Sequence, residues 1–196
     1  MKKIPTLFKR EFKDHRVCSI SPEVTPGFEW VIKGDGIATV KYDGSCCAII
    51  NGLFYKRYDA KKGKRPPYGA IPCQPEPDPI TGHWPHWVIV DTASKEDKWF
   101  RDAYDYTIHS ADYPLTDGTY EAIGKMFQGN PYHMGINLML RHGDDIIDNC
   151  PRSFEGIREY LFHRKIEGIV FWKDNKPQCK IKRSDFGYSW PLDNDI

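Results

Sequence analysis

The dipeptide Asn51-Gly52 constrains the fold of this 196-residue chain more than any other local feature. It separates two apolar runs, residues 46–50 and 53–58. Asn-Gly in such a position favours a tight turn between two antiparallel strands, because both of its residues readily adopt positive φ. A third apolar run, residues 37–42, ends at Asp43-Gly44, another turn-forming pair. We therefore predict an antiparallel meander over residues 37–58.

Other apolar runs are also typical of strands, and few segments are typical of helices. Ser153 is suited to cap a helix that extends to about Arg164, and a shorter helix can begin at Ser94. Antiparallel strands with few helices predict an α+β fold, in a single domain over residues 1–196. The remaining predicted strands are residues 28–33, 87–90, 119–123, 168–172 and 178–182.

Composition narrows the class of protein. A hydrophobic content of 40% with 14% aromatic residues is typical of a globular chain. No apolar run approaches the ~20 residues that span a bilayer, and the N-terminus lacks a signal-peptide core, so we expect a soluble intracellular protein, cytoplasmic or nuclear. The six cysteines form no C-x-x-C pair, which favours free thiols in a reducing compartment.

The net charge of +1 conceals an uneven distribution of charge. Residues 56–65 carry six basic side chains and one acidic side chain, and residues 176–183 carry four basic side chains and no acidic one. Such clusters suit a phosphate-bearing ligand, but two solvated loops would give the same composition. Three lysines of the first cluster either contact phosphates of such a ligand or only solubilise a loop: Lys61, Lys62 and Lys64.

Several polar side chains lie on or beside predicted strands and suggest a reaction. Lys41 ends one strand, and a lysine held there is a candidate nucleophile once it has lost its proton. Lys180 and Lys182 alternate along a strand and therefore share one face. Neighbouring cations favour the neutral amine and stabilise negative charge on a phosphate. The planar guanidinium group of Arg57 is suited to bind a phosphate or a ribose. The carboxylates of Glu121 and Glu167 could accept hydrogen bonds from ribose hydroxyls or hold a hydrated metal ion.

Each of these residues taken alone also has a plain structural interpretation. Glu121 could be a surface residue of an edge strand, and Lys180 and Lys182 could be solvated. His83 and His86 are more typical of packing residues than of metal ligands, since no carboxylate or thiol follows at ligand spacing.

The sequence around these residues resembles the motifs of a known superfamily. KYDG at residues 41–44, Glu121, Glu167-Gly168 and KIK at residues 180–182 resemble motifs I, III, IV and V of the covalent nucleotidyl transferases. The longer segments KYDGSCC, GTYEAIGKMFQGNPY, IEGIVFW and CKIKRSDFGYSWP resemble the small ATP-dependent 5′-to-3′ RNA ligases of vertebrates and some large viruses. The similarity runs from about Thr39 to Pro191. It implies the antiparallel sheets of a nucleotidyl-transferase (ATP-grasp-like ligase) domain.

The resemblance also implies a mechanism. Lys41 would be adenylylated by ATP with Mg²⁺ or Mn²⁺, AMP would pass to an RNA 5′-phosphate, and a 3′-hydroxyl would then seal the strand. Arg57 and Glu121 would contact ribose or phosphate, and Glu167 the nucleotide or, mainly through water, the metal. The nucleotide-binding set that the resemblance implies is Val40, Asp43, Gly44, Arg57, Glu121, Glu167, Val170 (one wall of the adenine site), Lys180 and Lys182 (both on the α-phosphate).

Some assignments stay open at this point. The aromatic residue that the family places against adenine has two candidates here, Tyr132 and His142. A DNA ligase or capping guanylyltransferase would use the same lysine chemistry, but only 14 residues follow Lys182, so we expect no C-terminal OB-fold domain. A nucleic-acid-binding module without activity is the third alternative. The sequence implies no membrane association and no obligate protein partner.

Overall fold

The structure, a computed structural model, describes residues 2–13, 16–79, 81–110 and 115–192. In this part of the chain antiparallel pairing dominates and helices are few, as the predicted α+β class requires. In chain order the elements are β1 (Phe8–Lys13), β2 (Arg16–Val24), α1 (Glu29–Ile32), β3 (Ile37–Lys41), β4 (Ser45–Ile50), β5 (Leu53–Ala60), β6 (Ile71–Pro72), β7 (Trp84–Ile89), α2 (Lys98–Ser110), β8 (Gly118–Gly124), β9 (Asn137–Arg141), α3 (Phe154–Phe162), β10 (Gly168–Lys173) and β11 (Lys176–Lys182).

The chain divides into two compact units. Residues 4–42 and those from 143 onwards form one, which we call the Lys41 unit. Residues 43–142, with a short N-terminal segment, form the other, which we call the Glu121 unit.

The Lys41 unit is built on a three-stranded sheet in the order β11-β10-β3, with β1 and β2 as a separate pair. One face of the three-stranded sheet is apolar and is covered by α3, through Ile157 and Leu161, and by Leu7 and Phe8 of the N-terminal segment. The opposite face carries the polar residues of β3 and β11. This division follows from the two-residue alternation along each strand. The buried positions on the apolar face are Ala38, Ile169, Phe171, Cys179 and Ile181.

The Glu121 unit contains a six-stranded antiparallel sheet in the order β6-β7-β5-β4-β8-β9. One face packs on α2 through a core that includes Cys47, Tyr120, Ala122 and Met139. The other face carries a smaller apolar cluster, which includes Tyr55 and Trp87, and beside it several polar groups.

The hairpin at Asn51-Gly52 is confirmed. Ile50 pairs with Leu53, and the two turn residues have φ of 51° and 73°. The predicted hairpin at Asp43-Gly44 is wrong, because β3 pairs with β10 whereas β4 pairs with β5 and β8. This turn therefore connects strands of two different sheets.

The prediction of a strand over residues 28–33 is also wrong, since these residues form α1. Glycines bound this segment at Gly27 and Gly34, with φ of 94° and 89°. The Glu29 carboxylate accepts hydrogen bonds from the Gly27 amide at 3.0 and 3.2 Å, which closes the first turn. Local turn interactions thus override the preference of this apolar run for a strand.

The predicted helix starts are confirmed. Ser153 caps α3, accepting from the Gly156 amide at 3.1 Å. Ser94 caps a short 3₁₀ segment that leads directly into α2, a helix of 13 residues and therefore longer than expected. Strands β1, β2, β6 and β9 were not predicted.

Five cysteines have described side chains, and all are free thiols: Cys46, Cys47, Cys73, Cys150 and Cys179. The side chain of Cys18 lies outside the described residues. Among the helices that are described, none combines the length and the apolar character needed to cross a bilayer.

Candidate active site

The polar face of the three-stranded sheet brings the predicted nucleophile and a predicted phosphate-binding lysine into line. Gly168 on the central strand is paired with Lys41 on one side and with Lys182 on the other. Residues paired across antiparallel strands direct their side chains to the same face. Gly168 itself places no side chain between the two lysines.

Gly168 is required by packing rather than by backbone conformation. A Cβ at this position would collide with the carbonyl oxygen of Ile181 and would lie 2.9 Å from the Cα of Lys182. The close approach of β10 to β11 therefore depends on glycine, and this approach fixes the position of the Lys182 backbone.

Glu167 connects the two lysines. Its Oε2 forms an ion pair with Lys41 Nζ, and its Oε1 lies 2.6 Å from Lys182 Nζ. The Glu167 side chain is only 5% exposed. A buried carboxylate needs such compensation, and here both of its oxygens accept from ammonium groups.

Lys180 adds a third cation to this face, two residues before Lys182. Burial, with the charges of Lys41, Lys182 and Arg10, lowers the pKa of Lys180 from 10.5 to about 8. With three lysines around one carboxylate, this face carries an excess of positive charge. Such a surface is suited to an anionic group such as a phosphate.

Two further predicted residues of the Lys41 unit lie on opposite faces of its sheet. Val170 is paired with both Thr39 and Lys180, so it lies on the lysine face, where it is half-buried. Val40 is paired with the buried Ile169 and packs against the apolar core. The structure therefore does not bring the Val40 side chain to the face that carries Lys41.

In the Glu121 unit, Glu121 is held from two sides. Its Oε1 accepts from the Gly44 amide at 3.1 Å, and its Oε2 lies 2.9 Å from His142 Nε2. His142 Nδ1 in turn lies 3.0 Å from the hydroxyl of Thr119. The carboxylate is thereby fixed on the sheet face opposite to α2.

Gly44 contacts the strand that carries Glu121. A Cβ on Gly44 would collide with the Ala122 carbonyl oxygen and would lie 3.0 Å from the Glu121 Cγ. The Asp43 amide donates to the Tyr132 hydroxyl at 2.7 Å. Of the two aromatic candidates, Tyr132 therefore contacts the KYDG segment, and His142 contacts Glu121.

Two more side chains share this face of the six-stranded sheet. Cys46 is paired with Glu121 on one side. Because Cys47 is paired with Lys56 on the other side, the next residue of β5, Arg57, lies on the same face as Cys46. Arg57 Nε donates to Asp59 at 3.0 Å. Burial, together with the Glu121 carboxylate, raises the pKa of Cys46 to about 12.

The basic segment that follows β5 is exposed. Lys61, Lys62 and Lys64 lie in a turn that closes with a hydrogen bond from the Lys64 amide to the Lys61 carbonyl at 2.9 Å. Their charges are therefore accessible to solvent. This agrees equally with contacts to phosphates and with a purely solubilising role.

Sequence reasoning missed the partners that hold the predicted residues in place. Thr119 and Cys46 were not singled out, although Thr119 lies two residues before Glu121 on a predicted strand and so had to share its face. The hydrogen bond of the Tyr42 hydroxyl to Asp145 was also missed. No local sequence pattern predicts this hydrogen bond, because the two residues are 103 positions apart.

Comparison with known proteins finds similarity to one kind of enzyme. Residues 112–196 match a family model described as RNA ligase 1. The chain is 26% identical to RNA ligase 1 of Rattus norvegicus in a match that covers 81% of this chain and 69% of the rat protein. It is 27% identical to RNA ligase 1 of Danio rerio in a match that covers 79% of this chain and 68% of the fish protein. The match to the Pongo abelii protein of the same name reaches 31% over 150 residues, covering 60% and 45%.

The chain is therefore similar to proteins named RNA ligase 1, and the class of enzyme that these matches support is a ligase.

Proposed function

We propose that this protein joins RNA ends that carry a 5′-phosphate and a 3′-hydroxyl, using ATP and a lysyl-AMP intermediate on Lys41. The observation that carries the proposal is the cluster in which Glu167 holds Lys41 and Lys182 beside Lys180. The relatives that match this chain are named RNA ligase 1, which supports RNA as the substrate.

In the first step the Lys41 ammonium group loses one proton to solvent, and the neutral amine then attacks the α-phosphorus of ATP. The bond to the leaving pyrophosphate breaks as the bond to Nζ forms, and a second proton leaves Nζ to give the phosphoramidate. Lys41 must therefore leave its ion pair with Glu167. An approaching phosphate provides the opportunity, because it competes with Glu167 for the three ammonium groups. Lys180 and Lys182 then stabilise the charge that builds on the phosphate oxygens.

The later steps use the same face. An oxygen of the RNA 5′-phosphate attacks the AMP phosphorus, which releases Lys41 and leaves AMP on the RNA end. The 3′-hydroxyl of a second end then attacks that 5′-phosphate, and AMP departs. Val170 on the lysine face is the proposed wall of the adenine site.

We assign Glu121, Arg57, Asp43 and Gly44 to binding of the nucleotide, as the family resemblance implies. The fixed position of Glu121 between Gly44 and His142 supports this role, since a carboxylate held by two groups is pre-organised to accept from ribose hydroxyls.

Mg²⁺ or Mn²⁺ would neutralise charge on the triphosphate. Both oxygens of Glu167 accept from lysines, so direct coordination there would require an ammonium group to be displaced. We therefore assign the ion to the phosphates, with water between it and Glu167. RNA contacts are assigned to the exposed lysines Lys61, Lys62 and Lys64.

Incubation with α-labelled ATP and Mg²⁺, followed by a denaturing gel, tests the proposal. We expect a covalent label that is abolished in Lys41→Arg, which keeps the charge, and retained in Lys33→Arg, a matched change at an exposed lysine. A label from GTP alone would indicate a guanylyltransferase, and no label would indicate a binding module without activity. The labelled protein should then seal 5′-phosphate RNA, whereas sealing of nicked DNA alone would indicate a DNA ligase.

A further inference from the structure

Three side chains of different chemistry converge on the polar face of the six-stranded sheet. The Cys46 Sγ, one carboxylate oxygen of Glu121 and one ring nitrogen of His142 all lie within 4.8 Å of one another. All three residues are partly buried. The closest pair, Glu121 Oε2 and His142 Nε2, is 2.9 Å apart.

Strand pairing makes this convergence a fixed property of the fold. Cys46 on β4 lies directly opposite Glu121 on β8. His142 immediately follows β9, and its amide donates to the Thr119 carbonyl at 3.0 Å, which continues the pairing of β8 with β9. The three ligand atoms thus come from three adjacent strands.

The groups behind two of these side chains also suit metal binding. His142 Nδ1 lies 3.0 Å from Thr119 Oγ1, which leaves Nε2 as the nitrogen directed at the cluster. Glu121 Oε1 accepts from the Gly44 amide, which leaves Oε2 directed at the cluster. Metal-binding histidines and carboxylates usually have such outer partners, because these fix the orientation of the ligand atoms.

We propose that Cys46, Glu121 and His142 form a binding site for Zn²⁺. One sulfur, one nitrogen and one oxygen are a ligand set that zinc accepts, whereas Mg²⁺ prefers oxygen ligands only. In a tetrahedral zinc site neighbouring ligand atoms are about 3.3–3.6 Å apart, so small side-chain rotations suffice. On binding, the Cys46 thiol releases its proton to solvent, His142 presents Nε2 without a proton, and water takes the fourth position.

Local charge favours a cation at this position. Glu121 provides one negative charge, and the Cys46 sulfur adds a second when the metal displaces its proton; the nearby Arg57 guanidinium is held by Asp59. If Glu121 binds the nucleotide, as the proposed function has it, zinc and nucleotide compete for the same carboxylate. This consequence depends on the proposed function, but the zinc site itself does not.

The test uses the full chain, without nucleotide, so its failure is distinguishable from failure of the ligase proposal. Zn²⁺ affinity is measured by competition with a chromophoric chelator, and Co²⁺ is added separately to detect thiolate-to-cobalt charge-transfer absorption. We expect one zinc ion per chain and a cobalt–thiolate band. Affinity should fall at least ~10-fold in Cys46→Ser and in His142→Gln. Cys150→Ser, at a buried cysteine in the core of the Lys41 unit, should bind as wild type.

Alkylation of the wild-type protein provides a readout that does not depend on the folding of a variant. Zinc should slow the alkylation of Cys46, identified by mass spectrometry, at least several-fold. The proposal is overturned if the wild-type protein binds no zinc at micromolar concentration. It is equally overturned if Cys46→Ser keeps the charge-transfer band or if zinc leaves the alkylation of Cys46 unchanged.

Discussion

Glu167 Oε1 lies 2.6 Å from Lys182 Nζ, and the other oxygen of the same carboxylate is paired with Lys41. One buried anion thus positions two cations across the glycine that separates them in the sheet. Removing the anion would leave partly buried ammonium groups without compensation, and these would repel each other.

We predict that Glu167→Gln lowers the covalent labelling of Lys41 by ATP at least ~10-fold, because glutamine has one acceptor oxygen and its amide would face the second ammonium group. The measurement is the rate of label incorporation at saturating ATP. The control is Glu155→Gln, an exposed carboxylate whose partner Arg158 is 3.5 Å away. Labelling of Glu167→Gln within about twofold of the wild-type rate would contradict the role given to this carboxylate.

A second prediction concerns Gly168. The Gly168→Ala change should destabilise the protein by about 1–3 kcal/mol, because its Cβ has no room beside the Ile181 carbonyl and β11 must move. Labelling should fall as well, since Lys182 shifts with the strand. Chemical denaturation and the labelling assay measure the two effects. Gly135→Ala is the control, since a Cβ there meets nothing within 4 Å, and equal stabilities of the two variants would refute the packing argument.

The sequence was sufficient where the determining interaction is local. Asn51-Gly52 specified its hairpin because both turn residues adopt positive φ, and Ser153 specified the start of α3 because its hydroxyl caps the helix. It was insufficient where strands choose distant partners. Asp43-Gly44 has the same turn chemistry as a hairpin, yet β3 pairs with β10, more than 120 residues away. Local pattern does not encode that pairing.

The candidate site shows the same division. Strand alternation predicted that Lys180 and Lys182 share a face, and the register of β11 confirms it. The ion pair of Glu167 with Lys41 and the contact of Glu121 with His142 could not be predicted from spacing. They join residues 126 and 21 positions apart, which only the pairing of the strands brings together.

A third prediction follows from Lys180, whose pKa is lowered from 10.5 to about 8 by burial and by neighbouring cations. Folding then disfavours the charged form, so Lys180 destabilises the protein fully below pH 8, and this cost disappears as the pH rises towards 10.5. We predict that Lys180→Met is more stable than wild type at pH 7, by up to ~3 kcal/mol. Most of the difference should be lost by pH 10.

Urea unfolding of wild type and Lys180→Met at both pH values measures this difference, and the other titrating groups cancel in the comparison. Lys176→Met, at an exposed position of the same strand, provides the control and should change stability little at either pH. If the stability of Lys180→Met relative to wild type increased with pH, the pKa of Lys180 would not be lowered by folding, which would refute the argument.

The final prediction concerns Arg183, a buried residue that follows β11 and is 4% exposed. Its Nη1 donates to the carbonyls of Leu161 and, at 2.7 Å, Arg164, and its Nε donates to Ser189 at 3.3 Å. Arg183 thus satisfies carbonyl groups at the C-terminal end of α3, where the helix dipole favours a cation.

We expect Arg183→Met to lower the free energy of unfolding by about 2–4 kcal/mol, because buried carbonyls lose their donors while the apolar volume is kept. Denaturant unfolding gives the value. Arg158→Met, at an exposed arginine of α3, should change stability by less than about 0.5 kcal/mol. If the two variants were equally stable, the Arg183 contacts would not hold the end of α3. If only Arg183→Met is destabilised, Arg183 anchors α3 to the segment that directly follows Lys180 and Lys182. Loss of this anchor should then also reduce the labelling of Lys41.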